Sequence, residues 1–250
     1  MKKILYLIIL SFFISFSANA SDESNENLKD CWKGFNKATF ALNQTLDGIL
    51  FEPIARGYRH LPSGIRYGTS NMVSNISNLV TIPNNLLQGD FKTAGINTAR
   101  LSVNTTIGIF GIFDVAQQMG FVKNYKREDY GQTLGKWGVG EGCYLVLPIL
   151  GPSTARDTIG LLADTFIDPF AHVTIRENEL FGASGNAIDY YSVKGTNAVN
   201  FRSDNLINLE SLEKNSLDLY SSYKSIYLQD RNNKIKNSTE DQDDWGNLDN

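Results

Sequence analysis

The sequence predicts an all-α, single-domain fold, and three observations predict it. Apolar residues in the body recur at alternating spacings of three and four, which aligns them on one side of a helix. No alternating ladder of apolar and polar residues is long enough to build a sheet or barrel. A chain of 250 residues, 42% hydrophobic and 20% charged, is large enough to bury one core without staples.

The amino-terminal segment comes first and stands outside the fold. Lys2 and Lys3, the apolar stretch from Ile4 to Phe16 and the small-residue ending Ala18-Asn19-Ala20 make an export signal, with cleavage expected after Ala20. The stretch is short for a bilayer span, which needs about 20 residues. Residues 21–30 read as an acidic linker, residues 31–231 as the helical domain, and residues 232–250, rich in Asn and Asp, as a disordered acidic tail. Both acidic segments flank a body with no net charge, so a nucleic-acid partner is not expected.

The first helix carries Trp32, Phe35, Thr39, Leu42, Leu46 and Ile49 on its apolar side, and Pro53 marks its expected end. Its other side mixes Lys33, Asn36, Lys37 and Asn43 with Phe40 and Phe51. Two large aromatics there suit either a second greasy environment, such as a bilayer boundary, or cover by neighbouring helices. The segment PIARGYRHLPSGIR then gathers Arg56, Arg59 and Arg66 on a turn-like connection, where guanidinium forks either take phosphate oxygens or pair with Glu52 and Asp47. After it, Asn71, Asn75 and Asn78 share a helical face, as turn and cap residues or as the wall of a wet passage.

A second stripe runs Leu87, Phe91, Ala94, Thr98, Leu101 and Thr105, placing Asn97, Arg100 and Asn104 on the expected surface. Glycines crowd the region from Gly108 to Gly151, which reads as turns joined by short apolar pieces. Within it CYLVLPIL is the one β-like run, stiffened by Pro148 and preceded by Gly138, Gly140 and Gly142. A third stripe, Leu206, Leu209, Leu212, Ser216, Leu219, Tyr223 and Ile226, reads as one helix near the carboxyl end.

Catalytic and metal signatures are missing. There is no GxxxxGK[ST] loop, no GxSxG elbow and no dinucleotide glycine spacing. Ser153, Asp157 and His172 assemble into a triad only on paper. With two histidines and two cysteines the chain has too few ligands for a zinc centre, and neither a metal nor a cofactor is expected. Export permits a disulfide between Cys31 and Cys143, but their spacing carries no pairing signature.

Three blocks, FNKATFALNQTLDGILFEPIARGYRHLP, SNISNLVTIPNNLLQGDFKTAGINTARLSVNTTIGIFGIFDVA and YGQTLGKWGVGEGCYLVLPILGPSTARDTIG, resemble successive signature blocks of the MlaA (VacJ) family, and LDLYSSYKSIYLQDR is similar to its closing block. The resemblance spans about residues 30–231. It implies a ring-shaped helical protein in the inner leaflet of the outer membrane, with a central amphipathic channel. The implied activity is non-enzymatic: phospholipids that stray into the outer leaflet are removed and passed to a soluble periplasmic carrier, MlaC. A porin trimer is the implied membrane partner. On this footing Phe40 and Phe51 become bilayer contacts, and the residues expected to line or gate the channel are Phe35, Asn36, Asn43, Arg56, Arg59, Asn75, Gln132, Trp137, Gly138, Gly140, Tyr144, Leu147 and Pro148. The chain departs from the family at one point. Family members carry a lipidated cysteine directly after the signal, whereas Cys31 follows Leu28-Lys29-Asp30, which is not a lipobox. A soluble periplasmic lipid carrier is the alternative that this departure keeps open.

Overall fold

The computed structural model describes residues 29–121, 126–168 and 187–236; the export signal, most of the linker, His172 and the tail beyond residue 236 lie outside them. Helix α1, Lys33–Leu46, passes through a π-helical turn, Asp47–Phe51, into α2, Glu52–Arg59. Pro53 does not end this rod: it follows directly on the π-helical turn, where the wider winding carries the chain past a residue with no N–H to donate. The long α3, Ser63–Leu87, and α4, Phe91–Thr106, form an antiparallel pair whose turn is capped by the Asp90 carboxylate accepting from the Thr93 N–H at 3.0 Å. Short α5, Val115–Gln118, and α6, Tyr130–Lys136, lead to a β-hairpin of β1, Tyr144–Leu147, and β2, Gly151–Thr154. Helices α7, Ala155–Ile167, α8, Ala187–Asp204, α9, Leu206–Asn215, and α10, Leu219–Lys236, complete the described chain.

The packing relations close into a circuit. The α1–α2 rod packs on α8, α8 on α3, α3 on α6, α6 on α10, α10 on β2, and β1 returns to α1. A ring follows from that order, as the family resemblance implies. Its conventional core is small and sits where the two ends meet: Tyr144, Val146, Tyr220 and Leu228, with Phe40 and Tyr227 against them. Tyr144 stacks edge-on to Tyr220 at 6.1 Å and to Tyr227 at 6.4 Å. The same junction is stapled by a disulfide between Cys31 and Cys143, with Cα atoms 5.7 Å apart.

Several sequence expectations are corrected here. The large apolar members of the stripes point outward: Trp32 just before α1, Phe35 and Leu42 on it, Ile49 on the π-helical turn and Phe91 on α4 are exposed, while Thr39 and Ala94 of the same stripes are buried, as are Asn36, Asn97, Arg100 and Asn104. Phe40 is not a bilayer contact, because it packs inward on Tyr220 and Tyr223 at 5.6 and 5.3 Å. Phe51 also faces inward. The third stripe is two helices, broken at Ser216–Asp218, where Asp218 accepts from the Ser221 hydroxyl and restarts the chain as α10. With the new start the inward residues become Tyr220, Tyr227 and Leu228, and Ile226 is exposed. Helix α10 continues to Lys236, five residues into the expected tail, and Asp30 of the expected linker is part of the fold, accepting from Asn36 and from the Tyr220 hydroxyl.

Candidate functional site: an amphipathic cleft inside an apolar belt

The buried positions are dominated by polar side chains and the exposed ones include many large apolar side chains, the reverse of a soluble globule. At the α3–α4 pair the buried side is an amide seam. Asn97 Nδ2 donates to Asn85 Oδ1 at 2.9 Å, Asn75 Nδ2 to Thr105 Oγ1 at 2.9 Å, and Asn104 Nδ2 to Asp114 Oδ1 at 2.9 Å. Arg100 reaches Asp114 at 2.7 Å. The outer side carries a knot of backbone after α4. Ile109 and Phe110 both take positive φ, and Gly111, at φ +91°, leaves no room for a Cβ against Asn75. That knot holds Ile107, Ile109, Phe110, Ile112 and Phe113 in the open. Such an apolar surface matches a lipid or protein partner, not water. Among the described residues no helix is long and apolar enough to cross a membrane.

A cleft of about 270 Å³ lies between α1, the π-helical turn, the hairpin turn, α8, α9 and α10. Phe40, Leu46, Phe51, Ile149, Leu150, Phe201 and Leu209 give it apolar lining, and Asn43, Gln44, Asp47, Arg202 and Tyr223 give it polar lining. Arg202 is buried and grips Asp47 with two nitrogens, Nε at 3.0 Å and Nη2 at 2.8 Å. Burial alone would lower the Arg202 pKa, but Asp47 and Glu52 more than offset it and raise it. A passage with both apolar and polar lining lowers the cost of moving an amphiphile whose headgroup would otherwise lose its water in hydrocarbon.

The hairpin turn forms one side of the cleft, and α1 flanks β1 where a third strand would pair. Asn36 accepts the Val146 N–H at 2.9 Å and donates to the Tyr144 carbonyl at 2.9 Å. Two helical turns on, Asn43 accepts the Ile149 N–H at 2.7 Å and donates to the Leu147 carbonyl at 2.9 Å. These amides satisfy the outer edge of β1, which would otherwise be open for pairing. The turn itself, Pro148–Leu150, puts Ile149 at φ +67° with its side chain exposed next to the cleft.

The ring closes through a buried charge network. Arg231 bonds Asp129 at 2.7 Å and Asp157 at 2.8 Å, and the Tyr227 hydroxyl donates to Asp157 at 2.6 Å. Burial would raise Asp129, but the Arg231 hydrogen bonds and charge hold it at about 2. Nearby Glu128 and Asp164 go the other way. Burial, with the Asp129 charge adding to it, pushes each up to about 7.

Of the expected channel residues, the structure brings Asn43 to the cleft, and Pro148 stands next to Ile149 and Leu150, which line it. Asn36, Tyr144 and Leu147 lie one layer behind it as supports for the hairpin. Asn75 lies in the α3–α4 seam and Gln132 in the α6 turn, where its Nε2 donates to Asp129 at 3.0 Å. Phe35 and Trp137 are exposed, the latter donating from Nε1 to the Leu87 carbonyl at 3.0 Å. Gly138 takes φ +85° just after α6, and Gly140 is exposed beside it. Arg56 and Arg59 stand on α2, not on a turn, and Arg56 pairs with Glu52 and Glu210, the ion-pair alternative for that segment. Of the paper triad, His172 lies outside the described residues, the Asp157 oxygens accept from Arg231 and Tyr227, and Ser153 Oγ meets Thr158 Oγ1. Sequence reasoning missed Arg202 and Asp47, a pair 155 residues apart that no local spacing reveals.

Comparison with known proteins agrees with this picture. A family model described as MlaA lipoprotein matches residues 28–234. The intermembrane phospholipid transport system lipoprotein MlaA of Haemophilus influenzae is 28% identical over 94% of this chain and 90% of its own. Its counterpart from Escherichia coli is 32% identical over 70% of each. An uncharacterized protein of Rickettsia bellii is 31% identical over 93% of this chain and 92% of its own. A solved structure, from work on the structural basis for maintenance of bacterial outer membrane lipid asymmetry, superposes with a TM-score of 0.69 at 29% identity, over 83% of this chain and 99% of that one.

Proposed function

The chain belongs to the MlaA lipoprotein family, and we propose from that membership that it transports phospholipids at the outer membrane, removing those misplaced in the outer leaflet and so maintaining lipid asymmetry. The observation that carries this reading is the inverted distribution of polarity, with amides and ion pairs inside and aromatic and aliphatic side chains outside, together with a cleft lined by both apolar and polar side chains. The belt of Trp32, Phe35, Ile49, Phe110 and Phe113 supports seating in a single leaflet. It holds the chain there without an acyl group on Cys31, whose sulfur is bonded to Cys143. A porin trimer against part of the belt and a soluble periplasmic carrier of the MlaC kind below the ring complete the proposed route. No covalent step is needed, because the lipid leaves as it entered.

Deleting the gene and labelling surface phospholipid on intact cells tests the reading. Outer-leaflet phospholipid rises in the deletion and returns to normal when the chain is restored. Unchanged surface phospholipid, or recovery of the protein in osmotic-shock fluid without detergent, would overturn it.

A further inference from the structure

We propose that the cleft selects zwitterionic phospholipids bearing a primary amine, with Arg202 meeting the phosphodiester and the Glu213 carboxylate at the rim meeting the ammonium. This rests on the reading of the cleft as the lipid's path. Arg202 is 5% exposed and lines the cleft. Its Nε and Nη2 are committed to Asp47, with Glu52 at 3.4 Å, while among the described residues Nη1 has no hydrogen-bond partner. A buried guanidinium N–H with no acceptor is an unmet donor, and phosphate oxygen is the acceptor guanidinium planes fit best. Phe40, Phe51 and Leu209 line the same cleft and offer the acyl chains an apolar surface.

The charge around that guanidinium is lopsided. Among the described residues, Asp47, Glu52, Glu210 and Glu213 surround Arg56 and Arg202, four carboxylates for two guanidiniums. Glu213 follows Leu209 by one turn on α9 and so shares its cleft-facing side. Burial first, and then Asp47, Glu52 and Glu210, push the Glu213 carboxyl up against the pull of Arg202. A headgroup with net negative charge gains the Arg202 contact but meets the carboxylate excess. A phosphate joined to an ammonium satisfies both signs at once, and a primary amine adds N–H donors to the Coulomb term.

The test is calorimetric titration of the full-length protein in detergent with dihexanoyl phosphatidylethanolamine, dihexanoyl phosphatidylglycerol and inorganic phosphate. The ethanolamine lipid binds roughly tenfold tighter than the glycerol lipid, and inorganic phosphate binds weakest. Arg202→Gln weakens both lipids by about tenfold, and Glu213→Gln, on the exposed rim, brings the two lipids to near-equal affinity. Equal binding of the two lipids to the native protein, or an unchanged ratio in Glu213→Gln, overturns the selectivity and leaves the cleft a lipid path. Phosphate binding as tight as the ethanolamine lipid overturns it in favour of a plain anion site. No binding of either lipid defeats both the selectivity and the transport reading.

Discussion

The junction of α6, α7, α10 and the hairpin is built unlike the α3–α4 pair. At the junction, aromatic rings are buried together and a guanidinium is locked between two carboxylates. There α6 and α7 also approach so closely that Gly160 has no room for a Cβ against the Gly131 backbone. At the α3–α4 pair the helices meet through amides and hydroxyls, and the apolar side faces away. The first region is held as a water-soluble core is held. The second has its hydrophobic surface available for a partner, so its inner contact must come from hydrogen bonds. One chain thus carries a closing clasp whose stability is internal and a wall whose stability depends on its surroundings.

The strongest way to break that contrast is to cut the clasp. Arg231→Met leaves the buried Asp157 and the partly exposed Asp129 without their shared cation, a loss of about 3 kcal/mol. For a chain of this size that lowers Tm by roughly 10 °C. The matching cut in the wall, Asn97→Ala, leaves Asn85 Oδ1 without its donor and costs about 1–3 kcal/mol. Thermal unfolding in one detergent compares the two directly. If Asn97→Ala costs more than Arg231→Met, the division into clasp and wall is wrong.

The seam between the two regions sharpens the comparison through pH. Gln88, at the end of α3, donates to Glu128 at 2.8 Å, and Asp164 of α7 accepts the Tyr130 N–H at 3.2 Å. Both carboxyls rise from ordinary values of 4.5 and 3.8 to about 7. A raised carboxyl contributes stability that is complete below its unfolded pKa and lost as pH climbs through its folded one. The affected window therefore runs from about pH 4 to just above 7. Asp129, held at about 2, acts only below that window. Tm is expected to be a few degrees higher at pH 5.5 than at pH 8, and Glu128→Gln flattens about half of that slope. A Tm that rises steadily toward pH 8 would contradict the burial of these two groups.

How much of this was legible in the sequence depended on which side of each helix was asked about. The periodicity of Trp32, Phe35, Leu42 and Ile49 located α1 correctly, because a 3.6-residue period marks an apolar face wherever that face points. It put the face on the wrong side, because period alone does not say whether lipid or protein covers it. The same inversion misplaced Asn97, Arg100 and Asn104, while the shared face of Asn75 and Asn78 was readable since amides on one stripe need partners in any environment. The cleft was barely legible. Its polar lining depends on Asp47 and Arg202 meeting across 155 residues, and its hairpin side on Asn36 and Asn43 standing in for a strand. Family resemblance supplied the channel; the residues that line it come from tertiary closure.

The smallest effect expected on stability belongs to the most exposed part of the wall. Phe110 is 72% exposed, at the tip of the knot after α4, and its backbone N–H is bonded to the Thr105 carbonyl at 3.1 Å. Phe110→Ser keeps that bond and removes a ring that packs on little of the protein, so Tm in detergent changes by no more than about 1–2 °C, within the usual range for surface substitutions. Membrane affinity behaves differently, since taking a phenyl ring out of an apolar phase costs about 1.5–3 kcal/mol. Retention on vesicles of phosphatidylethanolamine and phosphatidylglycerol therefore falls by at least tenfold. A substitution that leaves folding alone and loosens the membrane separates a belt from a core; a large drop in Tm with unchanged retention would place Phe110 inside the protein's own packing.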